Sequence, residues 1–326
     1  MATPSLKQPT AHANYSNNLN NDNDFLQAIA NAGLTPPSKT IDDGQIHRFP
    51  SNGKRGDDAG WYVFHSDGIA AGVFGCWRLG LVRDWCSKSS ATMTPVERES
   101  HRKRVEAMQA QREAETIRRH AFAAKLAKQI WNDAEPVDAE HPYLVDKNVH
   151  QHGLRHMDDK LIFQYGGSDP SLRNKRDALI VPLYNDGDLV NLQFITPDGE
   201  KRPLIGGKMK GSYSPIGKAQ PGQIIYVCEG WATGATIHQH TGTAVLCAMN
   251  AGNLMDVARY AADFWQGTEL IIAGDDDRLT EGNPGKTAAI KAAHELNCKV
   301  VFPLFPDAAP LELSDFNDLA LWRDMQ

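Results

Sequence analysis

The chain has 326 residues, 41% of them hydrophobic, and a formal net charge of -6 at pH 7. This length suits about two globular domains, and no apolar run approaches the roughly 20 residues that a membrane-spanning helix needs. The net charge neither indicates nor excludes nucleic-acid binding, because local basic stretches matter more than the sum.

The first segment, residues 1–22, is polar and rich in asparagine. It lacks the basic start and apolar core of a signal peptide, so we predict a disordered tail on a cytoplasmic protein. The five cysteines are scattered and form no C-x-x-C pair. Neither a disulfide framework nor a zinc ribbon is therefore predicted, and we expect buried or incidental thiols in a reducing compartment.

Residues 23–92 are predicted to form a small antiparallel β module. A short helix over 24–33 precedes aromatic and β-branched runs between glycines, and the Ser-Asp-Gly sequence at 66–68 is a hairpin signal. Basic residues interleave with the aromatic ones, namely Arg48, Lys54, Arg55, Arg78 and Arg83. This mixture suits single-stranded nucleic acid, which stacks on aromatic rings beside neutralising cations. The alternative is a small β core with a solvated rim.

A long helix is predicted next, within a linker over residues 93–135. Acidic and basic residues interleave along it, which favours a solvated linking helix over a dedicated DNA contact. Apolar residues with helical spacing appear only in its second half, at Phe122, Leu126, Ile130 and Trp131. We expect these four side chains to dock on another part of the protein.

Residues 136–220 are predicted to form an α+β subdomain. Two apolar runs, 178–184 and 189–195, flank an Asn-Asp-Gly-Asp turn and predict a β-hairpin. A basic, glycine-rich stretch follows the hairpin, at 201–211.

Residues 221–326 show the alternation of strands and helices that a βαβ fold requires. The predicted strands are 224–228, 244–248, 269–273 and 299–302, and the predicted helices are 232–240 and 286–296. We therefore predict a Rossmann-like α/β domain with a mostly parallel four-stranded sheet.

Carboxylates follow two of these predicted strands directly. Glu229 comes after the first strand, and Asp275, Asp276 and Asp277 come after the third. The carboxyl ends of parallel strands are where such sheets place their sites. Several carboxylates on one edge repel each other unless a hard divalent cation neutralises them, and Mg²⁺ is the usual ion for phosphate-bearing substrates.

These residues resemble the Toprim domain shared by bacterial primases, topoisomerases and certain nucleases. Asp-Asp-Asp-Arg at 275–278 resembles the Asp-Gly-Asp-Arg of DnaG-type primases, and Arg-Asp-Ala-Leu-Ile-Val-Pro-Leu at 176–183 resembles the strand that opens the primase catalytic core. Asp-Phe-Asn-Asp-Leu at 315–319 resembles the late acidic motif of phage and plasmid primases. The resemblance is to the primase portion of phage and plasmid primase-helicases, and it covers roughly residues 136–326.

The resemblance implies phosphoryl transfer, in which a 3′-hydroxyl attacks the α-phosphate of an incoming nucleotide. It implies two Mg²⁺ or Mn²⁺ ions and no zinc. The predicted catalytic residues are Glu229, Asp275 and Asp277. The predicted metal ligands are Glu229, Asp275, Asp277, Asp315 and Asp318.

The basic ridge of the family implies contacts to template or triphosphate. The residues predicted to make them are Arg176, Lys201, Arg202, Lys208, Lys210, Arg278 and Lys286. A merely solvated loop is the alternative for the basic stretch at 201–210. The segment 280–287 resembles a Walker A loop but has Thr280 where that motif needs glycine, so we assign Lys286 to the helix start after the acidic turn.

The implied function is a DNA primase that makes short RNA primers on single-stranded DNA for a phage or plasmid, in the cytoplasm of a bacterial host. Its partners would be template DNA, ribonucleoside triphosphates and a replicative helicase, without a membrane. The alternatives are a Toprim nuclease and a non-catalytic DNA-binding or helicase-loading module. The β module stands where DnaG-type primases carry a zinc ribbon, so we predict that it recognises the start site. We expect a standalone primase or the front part of a larger protein.

Overall fold

The computed structural model describes residues 12–326 except 58, 67–68, 77–78, 80, 89–91 and 221. The chain separates into two compact units, Met1–Ala114 and Glu115–Gln326, and each is described by itself. The finer domain boundaries predicted from the sequence stay predictions. No helix in the described residues is both long and apolar enough to cross a membrane.

The N-terminal unit contains a helix near its start, the first part of the long helix described below, and a four-stranded antiparallel sheet in the order β1-β2-β3-β4. Its elements are α1 (His12–Asn31), β1 (His47–Phe49), β2 (Gly60–His65), β3 (Ala71–Cys76) and β4 (Leu81–Cys86). Strands β2 and β3 pair as the predicted hairpin, with Gly60 opposite Cys76. Helix α1 begins at His12, so the tail prediction is wrong for residues 12–22, whose polar composition hides the helix. Residues 1–11 lie outside the described residues.

The aromatic residues of this unit form its core. Phe25 of α1 stacks on Phe64 with ring centroids 4.8 Å apart, and Trp61, Tyr62, Phe64 and Phe74 are at most 2% exposed. Buried rings cannot stack on nucleotide bases. The predicted stacking platform is therefore wrong for these side chains, and the alternative of a small β core describes them. Arg78, one of the basic residues in that prediction, lies outside the described residues.

Helix α2 (Pro95–Asp133) is the long helix that the sequence predicts. It begins with a capping box, in which the Thr94 hydroxyl accepts from the Glu97 backbone N–H and the Glu97 carboxylate accepts from the Thr94 N–H. In its second half, Leu126 and Ile130 are buried in a core with Leu161 and with the sheet described next. Phe122 is 60% exposed, so the prediction that it docks is wrong.

A second antiparallel sheet, in the order β5-β6-β7-β8, opens the C-terminal unit. Its elements in chain order are α3 (Pro142–Asp146), β5 (Arg155–Met157), α4 (Asp159–Tyr165), β6 (Ala178–Asn185), β7 (Asp188–Ile195) and β8 (Lys201–Pro203). The predicted hairpin is present as β6 and β7. Its two turn residues, Asp186 and Gly187, both have positive φ, as a type I′ turn requires.

A five-stranded mixed sheet completes the C-terminal unit, in the order β13-β12-β10-β11-β9. Its elements in chain order are β9 (Ser214–Ile216), β10 (Ile225–Cys228), α5 (Trp231–Thr241), β11 (Ala244–Cys247), α6 (Leu254–Phe264), β12 (Leu270–Ala273), α7 (Pro284–Leu296), β13 (Lys299–Val301) and α8 (Phe316–Asp324). Strands β10 to β13 are parallel at the four predicted places. The sequence missed β9, which pairs antiparallel with β11, because Ser-Pro-Ile is too short to show a strand pattern.

Helices cover both faces of this sheet. Trp231 and Ala235 of α5 share a core with Leu179 and Val181 of β6, while α6 and α7 pack on the opposite face. A side chain at Gly234 would collide with the sulfurs of Cys228 and Cys247, so only glycine lets α5 approach the strands this closely. The carboxyl ends of β10 and β12 lie at one edge of this sheet. The predicted acidic residues Glu229 and Asp275 follow these two strands.

Candidate active site: a carboxylate cluster at the sheet edge

The pairing of β10 with β12 brings two of the predicted acidic residues to one edge. Cys228 and Ala273 lie opposite each other in the parallel ladder, so Glu229 and Asp275 follow at almost the same level. Between Ala273 and Asp275, Gly274 lacks the Cβ that would collide with Ala289 and Phe302. Glycine at this position therefore lets α7 pack against the strand end.

Asp275 is the most perturbed carboxyl group at this edge. Burial, and then the charges of Asp315, Glu229 and Asp277, raise its pKa to about 8. Its Oδ1 atom is buried and has no hydrogen-bond partner. A buried acceptor without a partner lowers the stability of the folded protein. The surroundings of this side chain therefore disfavour its charged form.

The neighbouring carboxyl groups show the same repulsion. Burial and the charge of Asp277 raise the pKa of Glu229, with a smaller contribution from Asp315. Burial and the charge of Asp318 raise the pKa of Asp315. The structure therefore brings all five residues of the predicted metal site into one electrostatically coupled group, which we call the carboxylate cluster.

Asp277 is held at the start of α7. Its Oδ2 accepts from the Gly285 N–H at 2.9 Å, and its own N–H donates to the Asn283 side chain. Asn283 is the N-cap of the helix. Backbone donors at a helix N-terminus stabilise negative charge, so this part of the cluster is positioned by α7.

Asp276 faces a cation instead of the cluster. It accepts from Lys286 Nζ at 3.1 Å and from Asn283 Nδ2 at 2.8 Å. Burial opposes ionisation, but these two hydrogen bonds outweigh it and lower the pKa of Asp276. Lys286 also lies 5.2 Å from the centre of the Phe302 ring. This lysine, predicted to contact nucleotide, therefore has two partners within the protein.

Asp315 and Asp318 form a capping box at the start of α8. Asp315 accepts from the Asp318 N–H at 2.8 Å, and the Asp318 carboxylate accepts from the Ser314 and Asp315 N–H groups. The Thr233 hydroxyl of α5 also donates to Asp315 at 2.9 Å. These contacts give both acids a role in holding α8, and their role as metal ligands stays a prediction.

The carboxylate cluster is chemically suited to a divalent metal ion. Among the described residues, no group of three or more His, Cys, Asp or Glu side chains is arranged closely enough to hold a metal ion. The donors are nonetheless all oxygen atoms, which Mg²⁺ and Mn²⁺ prefer. A cation would also relieve the repulsion that raises the pKa of Asp275 and would give its Oδ1 the partner it lacks. The residue types therefore fit such an ion.

The five predicted basic contacts before β9 differ in whether they already have a partner within the fold. Lys201 lies close enough for its charge to act on Glu229 and Asp275, where it partly offsets the effect of burial on their pKa values. Lys210 is exposed. The others have partners in the structure: Arg176 with Asp159, Arg202 with Glu200, and Lys208 with Asn185.

Arg278 also has partners within the fold. Its guanidinium donates to the carbonyls of Pro310 and Leu313 at 2.6 and 2.9 Å and lies 4.4 Å from the centre of the Phe305 ring. This arginine thus ties the acidic turn to the loop before α8, and its predicted contact to nucleotide stays a prediction.

Two residues near the cluster were not assigned from the sequence. Burial, and then the charge of Asp315, raises the pKa of the Tyr143 phenol well above its ordinary value. The charge of Lys147 acts in turn on Asp315. The His-Pro pair at 141–142 signals a helix start, but nothing in the residue pattern connects α3 with a strand edge some eighty residues away.

Comparisons with known proteins agree with the resemblance. Residues 224–323 match the Toprim domain model. The chain is 32% identical over 309 residues to an Escherichia coli DNA primase TraC, covering 90% of this chain and 27% of that protein. A second E. coli DNA primase TraC is 31% identical over 302 residues, covering 87% of this chain and 20% of that protein.

The chain thus spans less than a third of the length of these two relatives. Among solved structures, the DnaG primase catalytic domain bound to single-stranded DNA aligns with a TM-score of 0.44 and 13% identity, covering 64% of this chain and 76% of that one. Residues 224–323 are therefore similar to Toprim domains, and most of the chain is similar to part of the DNA primases named TraC.

Proposed function

We propose that the chain is the catalytic part of a DNA primase, which makes short RNA primers on single-stranded DNA during phage or plasmid replication. The supporting observation is the carboxylate cluster. In a chain 32% identical to a DNA primase over 309 residues, Asp275 lies largely out of solvent beside three other acids, and its pKa rises to about 8. Such perturbed groups concentrate at functional sites.

Primer synthesis joins the 3′-hydroxyl of one nucleotide to the α-phosphate of the next and releases pyrophosphate. The hydroxyl must lose its proton, and Glu229, whose pKa is raised mainly by burial, is suited to accept it. A bound divalent cation supplies the charge neutralisation that the phosphate groups need. Glu229, Asp275 and Asp277 would hold such ions, and Asp315 and Asp318 would complete the ligand set.

The remaining residues serve to position the reactants. Lys201 is the predicted basic contact whose charge reaches the cluster, so we assign it to the nucleotide or the template. Arg176, Arg202, Lys208 and Lys210 form the predicted template contacts. Arg278 and Lys286 act by fixing the acidic turn, through the loop before α8 and through Asp276.

The two sheets of the C-terminal unit take different parts in this proposal. The five-stranded sheet with α5 to α8 is the catalytic Toprim domain, and the antiparallel sheet β5 to β8 is the accompanying primase subdomain. A replicative helicase as partner, start-site recognition by the N-terminal β module and a cytoplasmic location stay predictions.

Primer synthesis on circular single-stranded DNA tests the proposal. Wild type, the double variant Asp275→Ala/Asp277→Ala and the control Asp263→Ala receive labelled ribonucleotides and Mg²⁺ or Mn²⁺. Asp263 is an exposed acid on α6 of the same unit. We expect metal-dependent oligoribonucleotides from wild type and the control, and a loss of about 10³-fold or more in the double variant.

Two other outcomes would reject the proposal. Cut DNA without synthesis, lost in the same double variant, would make the cluster a nuclease centre. DNA binding with neither reaction would identify a non-catalytic module.

A further inference from the structure

The tripeptide His-Gln-His occurs twice in the chain, at 150–152 and at 238–240, and the fold brings the two copies together. The first copy lies between α3 and β5, and the second lies in the last turns of α5. The ring of His152 contacts the rings of His150 and His238, with centroids 6.1 and 5.2 Å apart. We call these three side chains the histidine cluster.

The hydrogen bonds of Gln239 fix which nitrogen of His152 carries a hydrogen. The side-chain oxygen of Gln239 accepts from the His150 backbone N–H at 2.8 Å. A backbone N–H can only donate, so the amide oxygen must face the first tripeptide. The same oxygen lies 3.2 Å from His152 Nε2, which therefore donates to it. In a neutral imidazole this leaves His152 Nδ1 as the nitrogen whose lone pair can bind a metal ion.

The His238 ring is held in the same way. Its Nδ1 lies 2.6 Å from the carbonyl oxygen of Thr243, and because a carbonyl only accepts, Nε2 keeps the lone pair. The ring also packs against Gly217, where a Cβ would lie 2.5 Å from the ring atom Cε1. Histidines that bind a metal almost always donate their second nitrogen to a carbonyl, a carboxylate or water. The bond to Thr243 is of this kind.

His152 and His238 meet two further requirements of a metal-binding pair. Burial is the main cause that lowers the pKa of His152, and its hydrogen bond with Gln239 only partly opposes this effect. The neutral form, which is the form that binds metal, is thereby favoured. Two imidazoles bound tetrahedrally to one Zn²⁺, at about 2.0–2.1 Å from each nitrogen, have ring centres roughly 5 Å apart. The observed separation of the two rings is 5.2 Å.

His150 is the third candidate ligand, and its side chain is exposed. As the described residues stand, no three His, Cys, Asp or Glu side chains are close enough to hold an ion together. The His150 ring must therefore turn about its side-chain bonds to join the pair, and exposed side chains change rotamer within nanoseconds. Its backbone can stay in place, because Gln239 holds its N–H.

We propose that the histidine cluster binds Zn²⁺ or a similar transition-metal ion through His152 Nδ1, His238 Nε2 and the ring of His150. Imidazole nitrogens suit such ions, whereas the oxygen donors of the carboxylate cluster suit Mg²⁺ and Mn²⁺. The bound ion would tie the segment before β5 to α5. This proposal does not depend on the proposed function. It differs from a zinc ribbon, which needs cysteine pairs that the sequence lacks.

Calorimetric titration of the untagged chain with Zn²⁺, in an excess of Mg²⁺, tests the site directly. The Mg²⁺ occupies oxygen donors and so removes the carboxylate cluster from the measurement. Wild type is compared with His152→Ala, His238→Ala and the control His294→Ala, which changes an exposed histidine on α7. We expect Kd to rise at least about 10-fold in the two cluster variants and to stay unchanged in the control. No Zn²⁺ binding by wild type, or equal affinity of wild type and both cluster variants, would overturn the proposal.

His150→Ala separates the loss of a ligand from a loss of folding. Its side chain is exposed and its backbone bond to Gln239 remains, so we expect the Tm of wild type in the absence of Zn²⁺. Zn²⁺ should raise the Tm of wild type, because a ligand that binds only the folded state stabilises it. This rise should be smaller in His150→Ala, and Kd for Zn²⁺ should be about 10-fold higher. Unchanged Zn²⁺ affinity in this variant would overturn the three-histidine site.

Discussion

Two low-exposure aspartates, one in each unit, are treated in opposite ways. Asp57, in the N-terminal unit, is 8% exposed and accepts from the Ser51 hydroxyl and from the N–H groups of Asn52 and Ala59, at 2.9 to 3.2 Å. Asp275, at the carboxylate cluster, has an oxygen without a partner and three other acids that act on it. One carboxylate stabilises its surroundings, whereas the other is destabilised by them.

Such a difference is expected between an acid that serves folding and an acid that serves a reaction. A protein that only needed to fold would pair the second carboxylate as it pairs the first, because unpaired buried polar groups are rare. Local conflicts that persist in a well-packed region mark sites where function and stability compete. The contrast between the two acids therefore supports placing the active site at the sheet edge, on grounds independent of the motif.

The largest effect on the free energy of unfolding is expected from replacing Asp57, whose carboxylate has hydrogen-bond partners. Asp57→Ala leaves the Ser51 hydroxyl and two backbone N–H groups without their acceptor. Bonds to a charged acceptor contribute about 1.5–3 kcal/mol each in favourable cases, so we expect a loss of about 2–4 kcal/mol in the free energy of unfolding. Denaturant unfolding measures it. A loss below about 0.5 kcal/mol, the range of an ordinary surface substitution, would show that this network does not hold the β module together.

At the carboxylate cluster, we expect a substitution to raise the free energy of unfolding instead of lowering it. Asp275→Asn removes a charge that the fold disfavours. Without divalent cations, we therefore expect the free energy of unfolding to rise by about 1–3 kcal/mol. The folded-state pKa of Asp275 is about 8 and its ordinary value is 3.8, so the native cost of ionisation grows as the pH rises between them. The gain should therefore be larger at pH 8 than at pH 5. Destabilisation at pH 8 would contradict the contrast between the two acids.

The smallest effect on the free energy of unfolding is expected from a substitution in the capping box of α8. Asp318→Ala removes the carboxylate that accepts from Ser314 and Asp315 but keeps the Asp315 cap. We expect a loss of about 0.5–1 kcal/mol. Thermal unfolding of this variant beside Arg323→Ala, in the last turn of the same helix, separates the cap from general loss of charge. Equal Tm values for wild type and Asp318→Ala would show that the box contributes nothing.

Much of the C-terminal unit was predictable because its signals are local. Apolar runs mark the strands β10 to β13, and the acids follow them directly in the chain, so the residue pattern alone predicts Glu229 and Asp275 on one sheet edge. The pattern Asp-x-x-Asp at 315–318 also has the spacing of a capping box. This spacing indicates a helix cap, whereas the family resemblance indicates only metal ligands.

The missed features depend on contacts between residues distant in the sequence. The pairing of Arg176 with Asp159 and of Arg278 with the carbonyl of Leu313 cannot be read from composition. In the N-terminal unit, aromatic residues beside cations suggested a stacking surface, and only the packing of Phe25 on Phe64 shows that these rings face inward. Residue types indicate a chemistry, and tertiary packing decides whether it is available.

A cation site at the carboxylate cluster is tested most directly by the effect of Mg²⁺ on thermal unfolding at pH 6 and pH 8, for wild type and Asp275→Asn/Asp277→Asn. Folded Asp275 binds a proton more tightly than the unfolded chain, so stability conferred by its protonation is lost as the pH rises toward 8. We predict that Mg²⁺ raises the Tm of wild type more at pH 8 than at pH 6 and leaves the variant unchanged. An equal Mg²⁺ response of both proteins, or none in wild type at pH 8, would contradict a cation site at the carboxylate cluster.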